Sequence, residues 1–200
     1  MTRATGTIGI LALQGGFDAH AVVLTSLGAT VREVRRPDEL NGLAALVLPG
    51  GESTTMMLGI EREALAEPLA AFVRGGRPVL ATCAGAIILD DARLGLLDVT
   101  CERNAYGGQA HSFEADLEIA GLAGGSFRGV FIRAPRFVRT GEGVETFATH
   151  AGEPVAVRAG NVLAISFHPE LAADDRVHRL FLDQIAASKV TDINQRKKAA

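Results

Sequence analysis

Three short apolar runs constrain this chain most. Ile8–Leu13, Ala44–Leu48 and Pro78–Ala81 each end at a loop-forming or chemically reactive segment: Gln14-Gly15-Gly16, Pro49-Gly50-Gly51-Glu52-Ser53 and Thr82-Cys83-Ala84-Gly85. Runs this short and this uniformly apolar read as strands buried on both faces. Between them lie helical patterns. Phe17, Ala21, Leu24 and Leu27 recur at spacings of three and four, and Gly28 stops that helix. Thr30–Val34 reads as a short strand. Leu65, Leu69, Phe72 and Val73 form the stripe of a further helix ending at Gly75-Gly76, and Ala84–Asp90 reads as another helix. Such alternation predicts an α/β fold, with a mostly parallel central sheet flanked by helices on both faces. From Leu96 to Phe167 the pattern changes to short β-rich runs. These are separated by Gly107-Gly108, Gly124-Gly125, Gly141-Glu142-Gly143 and Ala159-Gly160-Asn161, so an antiparallel β extension is expected there. A last helix carries Val177, Leu180, Phe181 and Ile185 on one face, with Asp174 or Asp175 as its cap.

Nothing in the 200 residues suggests a linker, a repeat or a low-complexity segment, so residues 1–200 are expected to form a single domain, with a frayed tail from about residue 190 to 200. Hydrophobic residues make up 48% and charged residues 22%, which argues for a packed core and against disorder. The net charge of −3 and the absence of a long basic block give nucleic acid no electrostatic footing. No stretch approaches the roughly 20 apolar residues of a membrane span. The two cysteines, Cys83 and Cys101, have neither the spacing of a zinc site nor the number of a disulfide framework. The reading is a cytoplasmic protein with no metal and no cofactor.

Chemistry concentrates at Cys83. It stands between an apolar strand and a helix that opens Ala84-Gly85-Ala86. A nucleophile at such a corner projects from the sheet edge, and the N–H of Ala84 can face a developing oxyanion. A helix N-terminus also favours a thiolate. On position alone, a small buried hydrophobe is an equally good account of a lone cysteine. His168-Pro169-Glu170 shifts the balance. The triplet follows the apolar run Val162–Phe167, and residues two apart in an extended segment share a face. Glu170 can then orient the imidazole, and His168 can take the thiol proton and return it to a leaving amine. The triplet by itself would also suit a surface turn. In Pro49-Gly50-Gly51-Glu52-Ser53, two glycines permit close backbone approach, and Gly51 N–H is the candidate second oxyanion donor.

Together, Pro49–Ser53, Thr82–Gly85 and Phe167-His168-Pro169-Glu170 resemble the class I, triad-type glutamine amidotransferases. Leu11–Gly15, Leu48–Met56, Glu102-Arg103-Asn104, Ser112–Leu117, Gly129–Pro135 and Ser166–Leu171 resemble the glutaminase subunits of pyridoxal 5′-phosphate synthases within that class. The resemblance runs from about residue 7 to about residue 187. It implies hydrolysis of L-glutamine to glutamate and ammonia through a γ-glutamyl thioester on Cys83. It also implies delivery of the ammonia to a separate, barrel-shaped synthase (lyase) subunit in a large hetero-oligomer. It places glutamine binding on Gly50, Gly51, Glu52, Ser53, Arg103, Ile132 and Arg133, and coupling to the partner on Gln14 and Gly15. The helix after Gln14-Gly15, with His20, would belong to the docking face. For Arg133, inside an apolar strand, a structural ion pair weighs as much as direct binding. His20, His111, His150 and His178 otherwise read as surface or structural, and Cys101 as packing. Two positions depart from the family pattern. Ala81 stands where glycine usually precedes Thr-Cys-Ala-Gly, and Gly108 stands in a stretch that commonly carries arginine. Two other functions remain to be weighed: another amidotransferase subunit or a γ-glutamyl hydrolase, and a non-catalytic scaffold.

Overall fold

The computed structural model describes residues 6–105 and 112–199, with side chains to 189. Tyr106–Gln109, with Gly108, and His111 lie outside the described residues. The central sheet has seven strands: β1 (Thr7–Leu11), β2 (Thr30–Val34), β3 (Ala45–Leu48), β4 (Val79–Thr82), β9 (Glu145–His150), β10 (Glu153–Ala159) and β11 (Val162–Ile165). Their order is β2-β1-β3-β4-β11-β10-β9. The first five positions in that order pair in parallel, and β10 and β9 continue the sheet antiparallel. The α/β fold and its antiparallel extension are therefore as the sequence predicts. Two small antiparallel sheets complete the extension: β5 (Val99–Glu102) with β8 (Arg136–Thr140), and β6 (Phe113–Leu117) with β7 (Phe127–Phe131).

Strand periodicity sorts the core into two layers. Leu46, Leu48, Val79, Ala81, Val162 and Ala164 face one side. There α2 (Ser53–Arg62), α3 (Ala66–Arg74) and α4 (Ala84–Leu89) contribute Met56, Ile60, Leu69, Phe72 and Ile88. Ala45, Val47, Leu80, Leu163 and Ile165 face the other side. There α1 (Phe17–Ser26) and α5 (Arg176–Ala199) contribute Leu24, Val177, Phe181 and Ile185. β3, β4 and β11 carry no exposed residue because they lie mid-sheet between helical layers. Ala81 registers against Leu48 on one side and Ala164 on the other, and its methyl is fully buried among them. The one carbon by which it exceeds glycine is accommodated within this packed layer.

Several local details differ from the sequence expectation. α2 is a helix that the pattern does not announce. Its buried residues are only Ser53, Met56, Gly59 and Ile60, and it opens on Ser-Thr-Thr, which are poor helix formers. What starts it is Glu52, whose carboxylate accepts from the N–H groups of Thr54 and Thr55 at 3.1 and 2.7 Å. Asp174 rather than Asp175 caps α5, accepting from Arg176 N–H at 3.0 Å, while Asp175 pairs with Arg179. The backbone of α5 continues to Ala199, where a frayed tail is expected.

Candidate active site

Because β1, β3, β4 and β11 run parallel, their carboxyl ends converge on one edge, where open α/β sheets place their ligands. Cys83 follows β4 directly. Its N–H donates to Ile165 O at 2.8 Å, and its backbone sits at φ 47° and ψ −106°. For a residue with a side chain this conformation is strained, and such strain concentrates at functional sites. It turns the chain sharply enough for α4 to begin at the next residue. Ala84 N–H is therefore among the first-turn donors that no carbonyl of its own helix accepts. Gly85 makes this corner possible, because a Cβ there would overlap the carbonyl oxygen of Leu48 on β3. Cys83 is 4% exposed, and its Sγ lies 3.8 Å from Ile132 O.

His168 arrives from β11, held by its N–H donating to Val130 O at 2.8 Å. Its Nδ1 is 2.7 Å from Glu170 Oε1, and both residues are buried. The pairing is not made by extended chain, as the sequence suggests. Pro169–Leu171 form a 3₁₀ turn, and the turn swings Glu170 back beside the ring. Burial opposes the imidazolium, but Cys83 and the Glu170 carboxylate outweigh it and raise the His168 pKa to about 10. Burial likewise opposes the Glu170 carboxylate, and His20 and His168 override it, so its pKa falls below the usual range.

Gly50 packs against the side chains of both His168 and Cys83. A Cβ there would overlap the His168 ring and come within 3.2 Å of Cys83 Cβ. The bare backbone at this position is thus required by the packing of His168 and Cys83 themselves. Gly50 O accepts from Gly16 N–H at 2.9 Å. In a trans peptide the carbonyl and the next N–H point in opposite directions, so Gly51 N–H is aimed away from the Gln14–Gly16 loop. Gln14 Oε1 accepts from Glu52 N–H at 2.6 Å, which ties the end of β1 to the residues that follow β3.

A cavity of about 120 Å³ lies over Cys83, lined by Gly51, Glu52, Ser53, Ile87, Arg103, Asn104, Ile132, Arg133 and His168. Its size matches a small metabolite rather than a nucleotide or drug-sized ligand. Eight of the lining residues, Cys83 with Gly51, Glu52, Ser53, Arg103, Ile132, Arg133 and His168, are those the sequence singles out, whereas Ile87 and Asn104 were not anticipated. Arg133 is not inside a strand: it follows β7 in a bend, exposed, with φ 44°. Glu52 and Arg103 are engaged with each other, Arg103 donating to Glu52 Oε1 at 3.0 Å and to Thr54 Oγ1 at 3.1 Å. N–H groups and the hydroxyl of Thr55, joined by the N–H of Thr54, bring the Glu52 pKa down to about 2, so the rim carries a fixed negative charge beside the guanidinium. A larger cavity of about 470 Å³ sits at the opposite end of the strands, near Arg77, Asn161 and Lys189, with neither cysteine nor histidine among its described lining residues.

Cys101 is half-buried, and burial with Asp90 and Asp91 pushes its thiol pKa up, which leaves it unreactive. His150 packs with its ring tilted against those of Phe113 and Phe131. His20 does not belong to any exposed face. It is fully buried on α1 and points toward Glu170. Among the described residues, no group of three or more His, Cys, Asp or Glu could hold a metal ion, and no helix is long and apolar enough to cross a membrane.

Known proteins resemble this chain in sequence and in fold. The pyridoxal 5′-phosphate synthase subunit PdxT of Streptomyces avermitilis is 47% identical over 197 residues, covering 94% of this chain and 98% of its own. The PdxT subunit of Geobacillus kaustophilus is 47% identical over 190 residues, covering 92% and 96%. A solved structure described as a glutamine amidotransferase superposes with a TM-score of 0.83 at 48% identity, over 90% of this chain and 98% of that one. A GMP synthase component of Thermoplasma acidophilum, 17% identical over 93% and 96% of the two chains, shares the fold with a TM-score of 0.71. The family model for SNO glutamine amidotransferases matches residues 10–187, which takes in the elbow, the glycine pair and the His-Pro-Glu turn. The chain belongs to the SNO glutamine amidotransferase family.

Proposed function

We propose that the whole chain is one glutaminase domain, that Cys83, His168 and Glu170 hydrolyse the side-chain amide of L-glutamine, and that the ammonia passes to a pyridoxal 5′-phosphate synthase subunit. The observation that carries this reading is the strained Cys83 corner facing the His168–Glu170 pair. Cys83 Sγ attacks the amide carbon while His168 accepts the thiol proton. A pKa near 10 suits the imidazole to hold that proton. The tetrahedral oxyanion is met by the N–H groups of Ala84 and Gly51. His168 then protonates the departing nitrogen, which leaves as ammonia, and a γ-glutamyl thioester remains. Water, deprotonated by His168, cleaves the thioester to glutamate and free Cys83.

Glutamine would lie along Gly50–Ser53, Arg103, Ile132 and Arg133. Its α-carboxylate suits an arginine fork or backbone N–H groups, and its ammonium suits carbonyl or carboxylate acceptors. The Arg103–Glu52 pair can serve both ends of a free amino acid. Ammonia is largely protonated near neutral pH and then cannot attack a carbonyl, so a water-excluding route to a docked partner preserves its reactivity. We place Gln14 and Gly15 at the junction with that partner, a barrel-shaped lyase in a large hetero-oligomer. Through the Gln14–Glu52 hydrogen bond, docking at the loop would bear on the Gly51 oxyanion donor. Two unpaired cysteines suit the reducing cytoplasm, where we place the complex.

The test is glutamine hydrolysis measured with and without the synthase subunit of the same organism. Mixing should raise turnover, and no stimulation would sink the pairing. Within the triad, His168→Ala should lower kcat by about 10³-fold or more, because the residue transfers the proton. Glu170→Gln should cost less, about 10–10²-fold, because it orients the ring. Steady-state kinetics of the two variants check the ranking. His168→Ala turning over at the wild-type rate would remove it from the mechanism.

A further inference from the structure

His168 takes only one oxygen of Glu170. The other, Oε2, is buried and has no hydrogen bond of good geometry among the described residues. A buried carboxylate oxygen left in that state is costly, so its surroundings must compensate electrostatically. The group beside it is His20 Nε2, 3.2 Å away from α1. That same nitrogen is 3.2 Å from Thr82 Oγ1, at the end of β4 and immediately before Cys83. On the far side of the ring, His20 Nδ1 is 3.0 Å from His178 Nε2 on α5. His20, Thr82 and His178 are all fully buried.

The carboxylate decides where the protons sit. A lone pair on His20 Nε2 would repel Glu170, so Nε2 carries the hydrogen and Nδ1 becomes an acceptor. His178 must then donate from its own Nε2. Both rings are neutral in this arrangement. Burial lowers the His20 pKa, and burial with His20 as neighbour lowers that of His178 to about 3. The protons therefore run in one direction, from His178 to His20 to the shared approach on Thr82 and Glu170, and Glu170 Oε1 receives the N–H of His168.

We infer that His20 is a positioning residue of the triad: its Nε2–H, fixed in that tautomer by His178, holds Glu170 in the orientation that aligns His168. The inference rests on the glutaminase reading of Cys83, His168 and Glu170. It deepens that reading by giving the triad a second buried layer that links α1, β4 and α5.

The experiment compares His20→Leu with His20→Gln in the glutaminase–synthase complex. The glutamine side chain can place a neutral N–H where His20 Nε2 lies, and leucine cannot. His20→Leu is expected to lower kcat for glutamine about tenfold with KM within about twofold, and His20→Gln to recover to within about threefold of wild type. Rates are expressed per folded protein from thermal melts. Equal kcat values for the two variants, whether both low or both normal, overturn the inference. Should His20→Leu not fold, His178→Leu against His178→Gln makes the same comparison one step out, with the leucine variant slower and equal rates overturning it. Alkylation of Cys83 by iodoacetamide, read on its peptide by mass spectrometry, needs no glutamine. His20→Leu should slow it about threefold relative to His20→Gln, and equal rates count against the inference. A wild-type complex that leaves glutamine intact sinks the glutaminase reading, and the alkylation arm still judges His20 separately.

Discussion

Cys83→Ala is expected to abolish glutamine hydrolysis, a loss of at least about 10³-fold in kcat, while leaving the folded protein and its docking intact. The catalytic side of this expectation follows from chemistry, since no other thiol stands in the cavity and Cys101 is held protonated elsewhere. The stability side follows from packing. Only one sulfur atom is removed, the left-handed backbone at this position is borne equally by alanine, and the melting temperature should move by less than about 3 °C. Thermal unfolding and a pull-down with the synthase check this half. Unchanged turnover in the variant would remove Cys83 from the mechanism. It would also favour the non-catalytic scaffold, which the meeting of Cys83, His168 and Glu170 otherwise argues against.

Gly85→Ala should be just as inactive for a different reason. The added Cβ would overlap the Leu48 carbonyl oxygen and come within 2.7 Å of its carbonyl carbon and 3.0 Å of its Cβ. These are mid-sheet atoms with hydrogen-bonded neighbours on both sides, and β3 cannot yield without disturbing β4. Overpacking of this kind costs about 2–3 kcal/mol. For a chain of this length that lowers the melting temperature by about 5–10 °C, and the displaced α4 would carry Ala84 N–H away from the oxyanion. Calorimetry and the glutaminase assay together separate the two variants: Cys83→Ala is stable and inactive, Gly85→Ala unstable and inactive. A Gly85→Ala protein with normal melting and normal turnover would mean that the elbow tolerates a wider corner than its geometry allows.

Much of this arrangement was legible in the chain because it depends on local rules. Uniform apolar runs gave the mid-sheet strands, and strand ends gave the edge on which Cys83, His168 and the Gly50-Gly51 pair meet. What escaped depends on neighbours far apart in sequence. α2 has too narrow an apolar stripe to announce itself, and its only early signal is the acidic residue before Ser-Thr-Thr. Glu52 looked like a ligand group and is also a helix cap, a double use that no spacing reveals. The 3₁₀ turn that brings Glu170 to His168 replaces the simple two-residue alternation of a strand. His20 carried a readable hint, since it lies four residues before Leu24 on the buried stripe of α1, and His178 lies three before Phe181 on α5. A histidine on a buried stripe needs a partner, but only the fold shows that the partners are Glu170, Thr82 and His178.

The central claim is that Cys83 becomes acylated by glutamine. The most direct measurement is an acid quench of the glutaminase–synthase complex during turnover, followed by peptide mass spectrometry. The account predicts one γ-glutamyl group on the peptide carrying Cys83, absent from Cys83→Ala and from samples quenched without glutamine. Turnover of glutamine with no acyl group ever found on Cys83, or with the group on another residue, would contradict it.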